Sequence, residues 1–170
     1  MFRKVVILLI SGATMFCCGC TMKRSVSPSI VSCSTIHEII EFIENERGLK
    51  YPVKDSTIIS EISWVENYEI VDSTIGYVIY DDLVKRHREA NKNKNPVTCC
   101  DDLVSGREKD QIYMGFSTPV VSPNGDFCMV YIETYDNPLS ASGTVYIFEL
   151  SGIRKKSIKG VRYRQVLWVS

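Results

Sequence analysis

The sequence predicts an α+β domain, with a four-stranded antiparallel β-meander in its C-terminal third and helices from the N-terminal half packed on one face of that sheet. Two segments in the first half repeat apolar residues at helical spacing, and the last third contains four β-rich runs separated by turn residues. The chain has 170 residues and a hydrophobic fraction of 45%, which suits a single domain with its own core.

The first predicted helix begins at Thr35, which has capping-box spacing with Glu38, and it ends before Gly48. Its apolar residues recur at i, i+3, i+4 and i+7: Ile36, Ile39, Ile40 and Ile43. A second helix is predicted over 77–93 on the same kind of spacing, with His87 on its apolar stripe. Between them, alternation through Ile62, Trp64, Tyr68 and Ile70 indicates one or two strands, and 101–112 suggests a short helical turn.

The four predicted strands occupy 116–122, 127–135, 144–150 and 162–169. Asn124-Gly125 separates the first two and is a strong hairpin signal, because both residues tolerate positive φ. In 127–132 the residues that point to either face of the strand are apolar, so this strand is expected to be covered on both faces. Trp168 is expected to be protected from solvent on the strand face that it shares with Val166.

The N-terminus has the three parts of a secretory signal peptide. Arg3 and Lys4 are cationic, 5–16 is apolar, and the small residue Gly19 precedes Cys20. The apolar run is too short for the ~20 residues of a transmembrane helix. The segment resembles the lipobox of bacterial lipoproteins, which implies cleavage before Cys20 and lipid on its thiol. The resulting organisation is a signal peptide at 1–19, a flexible lipid-anchored tether at 20–33 and one α+β domain at 34–170.

The lipobox resemblance implies a membrane-anchored protein of the bacterial envelope, on the periplasmic or surface face. Disulfides form in such compartments. Cys33, Cys99, Cys100 and Cys128 allow three pairings, which the sequence does not rank. For Cys128 a buried strand position is the competing interpretation. Histidines and cysteines lack the spacing of a zinc site, and neither a metal nor another cofactor is predicted.

The C-terminal third also resembles small uncharacterised envelope proteins of Bacteroidetes-type bacteria. The residues that carry the resemblance are Phe116-Ser117 with Pro119, the run 122–125, Val130-Tyr131, Ser142-Gly143 and the terminal run 167–170. Cysteines common in the loop of such proteins are missing from 136–142 here. The resemblance implies no particular activity.

A cluster of basic residues on the last connection and strand is the candidate binding site: Arg154, Lys155, Lys156, Lys159, Arg162 and Arg164. Such a patch suits an anionic glycan, a phosphate-bearing headgroup or an acidic envelope protein. The competing interpretation is a solvated edge strand whose lysines discourage aggregation. The precursor has a net charge of +0, and removal of the leader leaves 18 basic and 20 acidic residues, so nucleic acid is not a predicted partner.

The function predicted from these patterns is a non-catalytic binding or interaction module, and no catalytic residue is assigned. The alternative is a small envelope hydrolase that uses Ser142, or an aspartate pair, together with His87. The candidate pairs are Asp81-Asp82 and Asp101-Asp102, for which solvated positions at helix ends are the simpler interpretation.

Overall fold

The computed structural model describes residues 31–59, 71, 73–100, 103–104, 112–137, 139–151 and 157–170. Helix α1 spans Cys33–Arg47 and helix α2 spans Tyr77–Ala90. The strands are β1 (Val53–Lys54), β2 (Leu103–Val104), β3 (Tyr113–Phe116), β4 (Val120–Val121), β5 (Phe127–Asn137), β6 (Ser140–Ser151) and β7 (Ser157–Val169). Within the described residues they form one sheet in the order β2-β1-β3-β5-β6-β7, with β4 also paired to β5.

The sheet combines a parallel part with the predicted meander. Strand β1 is parallel to both β2 and β3. Strands β3, β5, β6 and β7 are antiparallel neighbours, so the α+β class and the meander are confirmed within a sheet of more strands than predicted. A short helical turn was predicted within 101–112, but residues 103–104 form strand β2. The strands predicted around 62–70 lie outside the described residues.

Helix α1 begins two residues earlier than predicted. The side chain of Ser32 is the N-cap and accepts a hydrogen bond from the backbone N–H of Thr35. Val31 is already buried, so the folded domain begins within the segment predicted to be a tether. Gly48 ends the helix with a φ of 68°, which is the left-handed conformation that glycine adopts without strain.

The two helices cover opposite faces of the sheet. On one face, α1 packs through Ile39 and Ile43 on a core that includes Val130 of β5. On the other face, α2 packs through Leu83 on a core that includes Met129 of the same strand. The prediction that the helices share one face is therefore wrong. Because a helix covers each face of the sheet, the β5 residues that point to either face are apolar.

A disulfide joins Cys33 at the start of α1 to Cys99, with a Cα–Cα distance of 5.2 Å. It fixes the beginning of α1 to the segment that follows α2 across 66 positions of sequence. Cys128 is a fully buried thiol on β5, as its competing interpretation expected, and burial raises its pKa to about 12. Neither helix among the described residues is both long enough and apolar enough to cross a membrane.

Candidate functional site

The described half of the predicted basic patch is paired with carboxylates. Lys159 Nζ lies 2.8 Å from Glu149 Oε1, and Arg162 donates to the other oxygen of the same carboxylate. Arg164 forms an ion pair with Glu46 on α1. The hydrogen bond from Lys159 holds the pKa of the Glu149 carboxyl below its ordinary value. Arg154, Lys155 and Lys156 lie outside the described residues, and anion binding by the whole patch stays a prediction.

His87 is enclosed in the core between α2 and the sheet. It has no exposed surface, and its Nε2 lies 2.7 Å from Ser117 Oγ. The same hydroxyl oxygen accepts a hydrogen bond of 2.9 Å from the backbone N–H of Tyr131. Burial alone lowers the pKa of His87 to about 4, so the imidazole is neutral at ordinary pH. This pair fixes α2 to the sheet.

Ser142 lies on the opposite face of the sheet from His87. Its hydroxyl accepts a hydrogen bond of 2.7 Å from Arg47 Nη2 and lies 3.1 Å from Thr134 Oγ1. The contact between Ser142 and His87 that the hydrolase alternative requires is therefore not present in this structure. Asp81 and Asp82 form ion pairs with Lys85 and Arg86 on the surface of α2, and Asp101 and Asp102 lie outside the described residues.

A carboxylate lies between two glycines on the sheet face that α2 covers. Glu133 of β5 pairs with Gly115 of β3 on one side and with Gly143 of β6 on the other. Gly143 in turn pairs with Trp168 of β7. We call Glu133, Tyr131, Trp168 and the two glycines the Glu133 site. Glycine at both cross-strand positions leaves the carboxylate without a side chain directly opposite it.

Trp168 reaches this face because β7 is bulged. Gly143 pairs with Trp168 and Thr144 pairs with Val166, which leaves Leu167 as an extra residue. The bulge turns Trp168 towards the α2 face, whereas Val166 is 41% exposed on the other face. The expectation that Trp168 and Val166 share a face is therefore wrong, and Trp168 is half-buried for a different reason.

The indole of Trp168 packs closely over Gly143. A Cβ atom at Gly143 would lie 2.3 Å from both Trp168 Nε1 and Tyr131 Oη, a separation that real Cβ atoms do not show. A glycine inside a strand often marks such a close approach. Gly143 is therefore required for the contact between β7 and β5 across β6.

A chain of hydrogen bonds orients the carboxylate. Trp168 Nε1 donates to Tyr131 Oη at 2.8 Å, and Tyr131 Oη donates to Glu133 Oε1 at 3.0 Å. Burial, together with the neighbouring Glu133, raises the pKa of Tyr131, so the hydroxyl keeps its proton. Glu133 Oε1 is thus engaged, and no described residue donates a hydrogen bond to Oε2.

Three partly exposed carboxylates on the sheet and on α1 are neutralised by basic side chains. Glu46, Asp136 and Glu149 each form an ion pair with an arginine or lysine. Among the described residues, none forms an ion pair with Glu133, although its side chain is half-buried. Within the described part of the chain, the negative charge of Glu133 thus has no ion-pair partner.

Aromatic rings continue along the same face. The rings of Tyr113 and Tyr135 stack at 4.3 Å, and Tyr135 meets Trp168 edge to face at 6.3 Å. Lys54 Nζ lies 4.4 Å from the centre of the Tyr113 ring. No sequence pattern predicted this arrangement. The signal that was present is Gly143, a glycine within an otherwise apolar strand.

A separate apolar cleft of about 270 Å³ lies beside the disulfide, where the chain enters the domain. Its wall includes Val31, Cys33, Ile36, Val97 and Phe116. The described residues that line this cleft carry no charge, and most of its surface is apolar.

Comparison of the chain with family models, curated proteins and solved structures finds no match.

Proposed function

We propose that the protein is a lipid-anchored component of the bacterial cell envelope that acts as a non-catalytic binding module. The lipid on Cys20 holds the domain at a membrane, and the domain binds its partner through an exposed surface of the sheet. The observation that carries the binding role is the Glu133 carboxylate, which is partly exposed, oriented by Tyr131 and without a cation among the described residues.

The disulfide supports an exported location. Cys33 and Cys99 lie at bonding distance on two segments that are far apart in sequence. Disulfides persist in oxidising compartments and are rare in the cytosol. This agrees with a signal peptide that ends before Cys20.

The geometry favours binding over hydrolysis. His87 is fully enclosed, and its hydroxyl neighbour is the equally buried Ser117, not Ser142. A general base has to come within hydrogen-bond reach of the group that it deprotonates. The exposed groups of the Glu133 site offer charge and aromatic surface, which are the means of recognition.

Replacement of Cys20 by Ser tests the anchor. We expect the variant to lose incorporation of a palmitate analogue and to move from the membrane fraction to the soluble fraction. The reason is that the thiol is the predicted acceptor of the lipid. Metabolic labelling followed by fractionation measures both effects.

The matched control is Cys18→Ser, since Cys18 would be removed with the signal peptide. That variant should be labelled and anchored like the wild type. Full labelling of the Cys20→Ser protein would refute the proposed anchor.

A further inference from the structure

We infer that the Glu133 site binds a substituted ammonium group, with the carboxylate of Glu133 as its counter-ion and the indole of Trp168 as its aromatic neighbour. This inference rests on the proposed function, because it names the ligand class of the same surface. Three features of the site lead to it: the charge, the walls around the charge and the aromatic groups.

The negative charge of the Glu133 carboxylate favours a cationic ligand. Glu133 Oε1 accepts a hydrogen bond from Tyr131, whose own oxygen accepts one from Trp168. The carboxylate is therefore held in position through Oε1, while Oε2 accepts no hydrogen bond from the described residues. A hydrogen bond to a fixed charged group contributes more than one between neutral groups.

The walls favour an organic cation over a metal ion. On one side of the carboxylate, the space above Gly143 is filled by Trp168. On the other side, the space above Gly115 is occupied by Ile58 Cγ2 and the Cδ methylene of Lys54, at 3.1 and 3.4 Å from a built Cβ. Calcium and magnesium need six or more oxygen ligands. A single carboxylate between apolar walls suits an alkylated ammonium better.

The aromatic groups favour the same ligand. Tryptophan is the strongest aromatic partner for an ammonium group. The same face already contains one such contact, with Lys54 Nζ 4.4 Å from the Tyr113 ring. A sugar would instead require several hydrogen-bonding groups around the ring, and the walls of the site are largely apolar.

Choline and its uncharged isostere 3,3-dimethylbutanol are the probes that test the inference. The chain contains two tryptophans, so Trp64→Phe leaves Trp168 as the reporter. We expect choline to change the fluorescence of Trp168 in a saturable way at constant ionic strength, and the isostere to have no effect. Calorimetry on the protein without the Trp64 substitution provides a second measurement if that variant does not fold.

Glu133→Gln should weaken choline binding by about tenfold, because it removes the charge and keeps the shape of the side chain. The matched control is Glu149→Gln, in which the affected carboxylate is already engaged by Lys159 and Arg162. That control should bind choline like the parent. Lys54→Met should tighten binding about twofold, since it removes a positive charge from the side chain that packs over Gly115.

Two arms distinguish the source of the ammonium group. Binding of the unlipidated Cys20→Ser protein to vesicles with ethanolamine headgroups, but not glycerol headgroups, assigns the ligand to a lipid if Glu133→Gln abolishes it. Choline binding without vesicle binding assigns it to a free amine. Either result supports the inference.

Equal responses to choline and to 3,3-dimethylbutanol, or equal binding by the Glu133→Gln and Glu149→Gln proteins, would overturn the inference. If Cys20 is still labelled in the same protein, such a result leaves the proposed anchor intact. The two proposals therefore fail separately.

Discussion

Removal of the Cys33–Cys99 disulfide should lower the free energy of unfolding by about 4 kcal/mol. The bond closes a loop that spans 66 positions, and loss of that constraint lets the unfolded chain gain conformational entropy. A domain of this size has a total stability of about 5–15 kcal/mol, so the effect is a large fraction of it. Denaturant unfolding of the Cys33→Ser/Cys99→Ser protein measures the change.

Reduction provides the control for that measurement. A reducing agent should destabilise the wild-type protein by the same amount and leave the double variant unaffected. The Cys128 thiol is present in both proteins and cannot produce the difference. A loss below about 0.5 kcal/mol, the size of an ordinary surface substitution, would contradict the structural role of the bond.

Acidification from pH 6.5 to pH 4 should destabilise the protein by about 3 kcal/mol through His87 alone. Burial lowers the pKa of His87 to about 4 in the folded state, whereas the unfolded chain has an ordinary value near 6.5. Between these values the unfolded state binds a proton that the folded state does not. The contribution of His87 is therefore complete above pH 6.5 and is lost as the pH falls towards 4.

The difference between variants isolates this contribution from those of the carboxylates. Unfolding free energies of the wild-type and His87→Gln proteins, measured across this pH range, should converge as the pH falls. Parallel curves for the wild-type and His87→Gln proteins would show that the buried imidazole does not produce the effect.

The strands of the meander could be predicted because their signals are local. Gly125 has a φ of 76° in the turn that Asn124-Gly125 indicated, and β5 begins at the predicted residue. The apolar residues at alternate positions of β5 also indicated correctly that both of its faces are covered. Which helix covers which face depends on the path of the chain between the helices, and neither helix pattern contains that information.

The properties of β7 could not be predicted because they depend on distant residues. Arg164 pairs with Glu46, 118 positions away, so the basic cluster looks more exposed in the sequence than in the fold. The bulge at Leu167 is a consequence of pairing with β6, and it reverses the face of Trp168. The disulfide pairing likewise required the distance between Cys33 and Cys99 in the folded chain.

The Glu133 site was missed because it is built from four strands. Each of its residues has an ordinary explanation when taken alone: a polar residue on a strand, a terminal tryptophan, a glycine. Only the register that aligns Gly115, Glu133, Gly143 and Trp168 brings them together. The alternation of residues along a single strand therefore does not reveal a site whose residues come from neighbouring strands.

Heteronuclear NMR during a choline titration is the most direct test of binding at this surface. We expect the largest chemical-shift changes at the indole N–H of Trp168 and at the amides of Glu133 and Gly143, and we expect Glu133→Gln to remove them. Shifts centred on Lys159 and Arg162 of β7, or no shifts at all, would contradict this expectation.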